Sequence, residues 1–98
     1  MNRKRNLWRE LEEGFGGGTR FRILLYLALH PDDTYTKYGL VKATGVRTTS
    51  VGEHLKTLVE MGWIKEYPFT PKTYQINVEH EIVKHFLEFL EKISRLNR

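Results

Sequence analysis

Thr36-Lys37-Tyr38-Gly39-Leu40-Val41-Lys42-Ala43-Thr44-Gly45-Val46 runs straight into Arg47-Thr48-Thr49-Ser50-Val51-Gly52-Glu53-His54-Leu55-Lys56-Thr57-Leu58-Val59-Glu60-Met61-Gly62-Trp63-Ile64. The pair reads as two helices joined by a glycine turn. The Thr36 hydroxyl is placed to cap a helix over 37–44, with Leu40 and Val41 facing inward. Gly45 closes that helix in the left-handed region. After a tight turn at Val46 and Arg47, a second helix is predicted from about Thr48 to Met61. Its inner positions Val51, Leu55 and Leu58 are spaced four and three, which puts them on one face. Gly62 stops it.

The surroundings extend this reading. Upstream, Thr19 caps a helix to about Leu29. Its residues Phe21, Ile23, Leu24, Leu25, Leu27, Ala28 and Leu29 are apolar nearly all round, so it belongs in the middle of a domain. His30-Pro31 ends it and Asp32-Asp33 turns the chain. Thr34-Tyr35 reads as a very short strand. Downstream, Trp63 to Tyr67 and Thr73 to Val78 alternate as two strands, with Tyr74, Ile76 and Val78 on one face. Pro68 and Pro71 make the connection between them a stiff loop. A short helix through Glu13 carries Leu7, Trp8 and Leu11. Gly14 and Gly16-Gly17-Gly18 break it, without the Gly-Lys-Ser/Thr ending of a phosphate loop.

The helix predicted from Glu79 to Leu96 places Ile82, Phe86, Phe89, Ile93 and Leu96 at spacings of 4, 3, 4 and 3, a heptad seam. Val83, Leu87 and Leu90 widen the stripe. Glu88 with Lys92, and Glu91 with Arg95, are favourable i,i+4 pairs. The seam either joins two copies of the chain or packs on the helix over 19–29. So many large apolar residues on one helix favour the dimer, with Leu7, Trp8, Leu11, Phe86, Phe89, Leu90, Ile93, Leu96 and Ile82 at its interface.

Helix, glycine turn, helix and two-stranded hairpin resemble the winged helix-turn-helix proteins, in particular the MarR- and ArsR-like regulators. Residues 36–64 look like that family's positioning helix, followed by its S-x-S-T-V-S-x-H-L-x-x-L-x-x-x-G-x-I pattern. With Tyr74-Gln75-Ile76, the resemblance spans about residues 24–78. It implies a mainly α fold with a small β-hairpin (α+β). A basic arm, short helix and glycine break (1–18), a winged core (19–78) and a dimerisation helix (79–98) then form one domain. It also implies sequence-specific double-stranded DNA binding by a homodimeric transcription regulator. The helix over 48–61 enters the major groove and the hairpin, or wing, touches the backbone.

On that helix Thr49, Glu53 and Lys56 lie opposite the buried stripe. Ser50 and Thr57 flank them, and Thr48 stands at the exposed start. For His54 the resemblance implies a phosphate contact; a half-buried spacer is the alternative. Lys37, Lys65 and Lys72 complete the expected DNA-binding set. Arg47 departs from the family's usual serine cap, so capping falls to Thr48, or to Ser50 with Glu53. Arg47 is then available for a phosphate or a guanine. Gly52 replaces a polar residue and weakens the helix interior. Glu53 either reads cytosine, pairs with Lys56 or caps. Phe69, at the wing tip, wedges against DNA or packs on a neighbour.

Composition agrees with such a protein. The chain has 98 residues, enough for one domain, with 40% hydrophobic and 29% charged side chains and a net charge of +4. The excess lies in Arg3, Lys4, Arg5 and Arg9, which no acid interrupts, and in residues 36–78. Both suit a polyanion. The arm at residues 3–5 either reaches DNA or remains a free basic tail. The absence of cysteine removes disulfides, thiolate metal sites and thiol catalysis. No apolar run is membrane-spanning and no signal core follows the basic start, which predicts a cytoplasmic protein with no membrane partner. His30, His54, His80 and His85 form no complete ligand set, and no nucleophile–base–acid motif is present. No metal, cofactor or enzyme activity is therefore expected. The competing expectation is a winged-helix protein-interaction module within a transcription or replication assembly. Glu53, Glu60 and the sparse wing charge favour it. RNA binding is a weaker third.

Overall fold

A computed structural model describes residues 6–97. The basic arm at Arg3, Lys4 and Arg5 lies outside the described residues. The elements are α1 (Leu7–Gly14), α2 (Thr19–Leu29), β1 (Tyr35–Thr36), α3 (Lys37–Thr44), α4 (Thr48–Glu60), β2 (Ile64–Tyr67), β3 (Thr73–Ile76) and α5 (Glu81–Ser94), with a 3-10 turn over Arg95–Asn97. The described chain is mostly helical with one small antiparallel sheet, an α+β arrangement. The sheet has three strands rather than the two of a lone hairpin. β1 pairs with β3 through Tyr35–Tyr74 and Thr36–Thr73, giving the order β1-β3-β2. β2 and β3 pair Ile64 with Ile76 and Tyr67 with Thr73.

The core follows from the apolar spacing. Ile23 and Leu27 of α2, Leu40 of α3, Val51, Leu55 and Leu58 of α4, Ile64 and Ile76 of the sheet and Val83 of α5 are all buried together. Helix ends are set locally. Thr36 Oγ1 accepts a bond from the Gly39 amide at 3.0 Å. Gly45 holds φ 74°, which a side chain resists, and its amide donates to the Val41 carbonyl. The Thr44 hydroxyl donates to the Leu40 carbonyl at 2.6 Å and accepts from the Val46 amide at 3.3 Å, fixing the turn between α3 and α4.

Several caps and boundaries differ from expectation. β1 is Tyr35–Thr36 rather than Thr34–Tyr35, and β2 begins at Ile64 rather than Trp63. Thr19 is the first residue of α2, and Gly18 takes the capping position without a side-chain bond. Arg47 takes that position on α4, also without a side-chain bond, so neither Thr48 nor Ser50 caps it. α5 starts at Glu81 rather than Glu79 because Asn77 and His80 turn the chain first. The His80 imidazole then accepts from the Ile82 amide at 3.1 Å. Val78 lies beyond β3 and is exposed.

The glycine break does more than end α1. At Gly17 an added Cβ would lie 2.7 Å from Phe21 Cβ, so only glycine admits that ring. The turn folds Phe15 back onto Phe21, with ring centroids 5.7 Å apart. Phe21 meets Phe86 edge-on at 6.3 Å, and Phe15 meets Phe89 at 6.5 Å.

The stripe on α5 serves two surfaces. Val83 and Leu90 are buried in the chain's own core, with Phe86 and Leu87 packed against it. Ile82, Phe89 and Leu96 point outward, 54%, 36% and 58% exposed, while Ile93 is half-buried. Leu90 is therefore a core residue rather than a seam residue. Leu7 is likewise buried within the chain, and Trp8 and Leu11 pack against its core. Of the two expected charge pairs, Glu91–Arg95 forms at 3.3 Å. Glu88 turns instead to His85 at 3.3 Å. Among the described residues no helix is long and apolar enough to cross a membrane.

Candidate nucleic-acid interface

Val51, Leu55 and Leu58 anchor α4 in the core and thereby fix what its other side presents. Thr49, Glu53 and Lys56 are exposed on that side, with Ser50 and Thr57 half-buried at its edge and Arg47 and Thr48 at its start. Arg47 and Lys56 have no ion-pair partner among the described residues. Glu53 makes neither the pair with Lys56 nor a capping bond. The α4 amides before Val51, whose N–H bonds the Arg47 carbonyl at 2.9 Å, receive no side-chain cap.

The flanks of α4 are held by two other helices. On one side the Lys37 stem lies across Gly52, where an added Cβ would meet Lys37 Cδ at 3.8 Å. That is ordinary contact, and glycine is unfavourable inside a helix. Gly52→Ala is expected to raise unfolding free energy by about 0.5–1 kcal/mol, read as a higher urea midpoint. A lower midpoint would show that the site has no room for a methyl group. The Lys37 ammonium itself lies 5.4 Å from the Tyr38 ring centroid.

On the other side His54 faces α2. Its Nδ1 accepts from Arg20 Nε at 3.2 Å, and its Nε2 lies 2.7 Å from Thr19 Oγ1. Both ring nitrogens are thus occupied within the chain, which differs from a free phosphate contact. Burial, followed by the Arg20 guanidinium, lowers the affinity of this imidazole for a proton; Glu53 acts the other way.

The β2–β3 hairpin carries little free positive charge. Lys65 Nζ pairs with Glu79 at 3.2 Å and Lys72 Nζ with Glu66 at 3.9 Å. Glu66 also accepts from the Tyr74 hydroxyl at 3.1 Å. Burial and that bond push the Tyr74 phenol up from its ordinary range. Phe69, 65% exposed at the tip, stacks on Tyr67 at 6.3 Å.

The structure therefore gathers Arg47, Thr48, Thr49, Ser50, Glu53, Lys56 and Thr57 on one surface, brings Lys37 to its edge, turns His54 inward and leaves Lys65 and Lys72 neutralised. Thr19 and Arg20 were absent from the sequence-based set, since no local pattern joins them to a residue about 35 positions away. The pair of Glu66 with Lys72 follows from strand register: Glu66 stands opposite Tyr74, so Lys72 is its diagonal neighbour. Among the described residues no three His, Asp or Glu side chains converge as a metal site. Comparison with family models, curated proteins and solved structures finds no match for the chain.

Proposed function

We propose that the chain is a winged helix-turn-helix protein that binds double-stranded DNA as a homodimer and regulates transcription. The order α2-β1-α3-α4-β2-β3, with β1 paired to β3, supports the winged-helix reading. The observation that carries the DNA reading is the outward face of α4. It presents Arg47 and Lys56 unpaired among the described residues, on a helix whose opposite face is locked in the core. A major groove admits such a helix. The uncapped amides at the start of α4 favour a phosphate there. Hydroxyls at Thr48, Thr49 and Ser50 supply bonds to phosphates or base edges.

Selection from a random duplex pool tests this. Wild-type protein is expected to enrich a sequence with two related half-sites about one helical turn, ~34 Å, apart. Thr49→Ala is expected to change the enriched bases more than the overall affinity. No enrichment, or an equal loss on every sequence, would contradict base reading by Thr49.

The dimer reading rests on Ile82, Phe89 and Leu96, an apolar line of seven-residue spacing on the outside of α5. Beside it Phe21, Leu24, Trp63, Ile82, Val83 and Phe86 line an apolar hollow of about 250 Å³. Phe89→Glu is expected to sediment as a monomer with its helix content intact. A dimer at the same concentration would remove this face from the interface. Phe86→Glu is the poorer probe, because Phe86 is packed against the buried core, whereas Phe89 meets the exposed Phe15 ring.

The neutralised wing lysines favour one second reading, a protein-interaction module of the same fold. Binding to duplex DNA that weakens steeply with salt separates the two.

A further inference from the structure

Arg20 stands on the first turn of α2, exposed, beside α4. Its bond to His54 uses only the Nε–H. The two terminal guanidinium nitrogens have no partner among the described residues, so the planar fork is held at one corner and open at the other. On the opposite flank of α4, Lys37 is steered across Gly52. A basic side chain therefore flanks α4 on each side, Lys37 with its ammonium 5.4 Å from the Tyr38 ring centroid, and a helix lying in a major groove has a phosphate strand on each side.

We infer that Arg20 is a backbone-phosphate contact beside α4 and that His54 is the residue that positions it. This rests on the DNA-binding reading above. The chemistry of the imidazole carries the second half. Nδ1 accepts from Arg20, so a neutral ring bears its proton on Nε2 and donates to Thr19 Oγ1 at 2.7 Å. That tautomer ties α4 to α2 and aims the guanidinium. A second proton must go to Nδ1, which ends the bond to Arg20 and places two like charges together. The charged groups acting on the ring are Arg20 from α2 and Glu53 from α4 itself. Burial and Arg20 keep the ring neutral at neutral pH, the state in which it holds Arg20.

The test is duplex binding by fluorescence anisotropy across a salt series, near pH 7.5 and again below the pH at which the His54 imidazole takes its second proton, followed by NMR. Wild type, Arg20→Ala, His54→Asn, His54→Gln and Lys56→Ala are compared, and thermal melts check folding. Arg20→Ala is expected to flatten the salt dependence by about one unit, so its affinity deficit shrinks roughly threefold between about 50 and 200 mM salt. His54→Asn keeps an oxygen acceptor where Nδ1 stood and is expected to retain the wild-type slope; His54→Gln does not. The wild-type to Arg20→Ala affinity ratio is expected to be larger near pH 7.5 than below the His54 titration.

An Arg20→Ala slope equal to wild type, with a reduced slope for Lys56→Ala, would overturn this contact and leave the DNA reading standing. A ratio unchanged across the observed His54 titration, or a wild-type slope for His54→Gln, would overturn the positioning role of His54. Absence of any DNA binding by wild type would overturn both the inference and the reading beneath it.

Discussion

Leu27→Ala is expected to lower the unfolding free energy by about 3 kcal/mol, within the usual range for a buried leucine truncated in a core. Leu27 has no exposed surface and lies in the last turn of α2, among the core side chains of α3, α4, the sheet and α5. Truncation removes the transfer energy of the lost carbons and leaves a cavity that helices on several sides cannot all close. A domain of this size has only about 5–15 kcal/mol to lose. The midpoint of thermal unfolding is expected to fall by about 12–24 °C, at about 4–8 °C per kcal/mol. Circular dichroism melts with urea titrations check it. Lys42→Ala, on the exposed side of α3, serves as the control and is expected within about 0.5 kcal/mol of wild type. A loss under about 1 kcal/mol for Leu27→Ala would mean that α2 is not the centre of the fold.

The second large effect concerns function. Arg47→Glu combined with Lys56→Glu is expected to weaken duplex binding roughly hundredfold to ten-thousandfold at low salt, at about 1.5–3 kcal/mol for each charged contact removed. Each substitution removes a cation that has no partner among the described residues and adds an anion to a face that already carries Glu53. The salt dependence should flatten by about two units, one for each lost phosphate contact. Because both side chains are exposed, the melting temperature should stay near wild type. That separates a lost contact from a lost fold. Unchanged affinity in the double variant would mean that DNA, if bound, lies on another surface.

The parts of the fold legible in the sequence are those encoded by neighbours along the chain. Thr36 and Gly45 bracket α3 through bonds to residues three or four away, and Val51, Leu55 and Leu58 mark the inner face of α4 by spacing alone. What was not legible depends on distant partners. The apolar stripe of α5 is wide enough for two faces, and periodicity alone does not say which residues turn inward. Packing against α2 assigns Val83 and Leu90 to the core and leaves Ile82 and Phe89 outside. The start of α4 at Thr48 is legible but its cap is not, because hydroxyl residues at 48–50 offer several caps, while the backbone puts Arg47 in that position with no side-chain bond.

The candidate surface divides in the same way. Thr49, Glu53 and Lys56 follow from the helical wheel once the buried stripe is known. His54 does not. Its partners are the hydroxyl and guanidinium at the start of α2, brought close only when the helices pack. The hairpin lysines look free in the sequence and are paired in the fold, because strand register carries Glu66 to Lys72 and the turn after β3 carries Glu79 to Lys65.

The central claim is that the α4 face binds duplex DNA. It is tested most directly by the affinity of the intact chain for a mixed-sequence duplex of about 30 base pairs, measured by fluorescence anisotropy across salt. Steep weakening is expected, with log affinity falling linearly in log salt and a slope reporting several phosphate contacts. No binding at low salt would contradict the account and leave the same fold as a protein-interaction module.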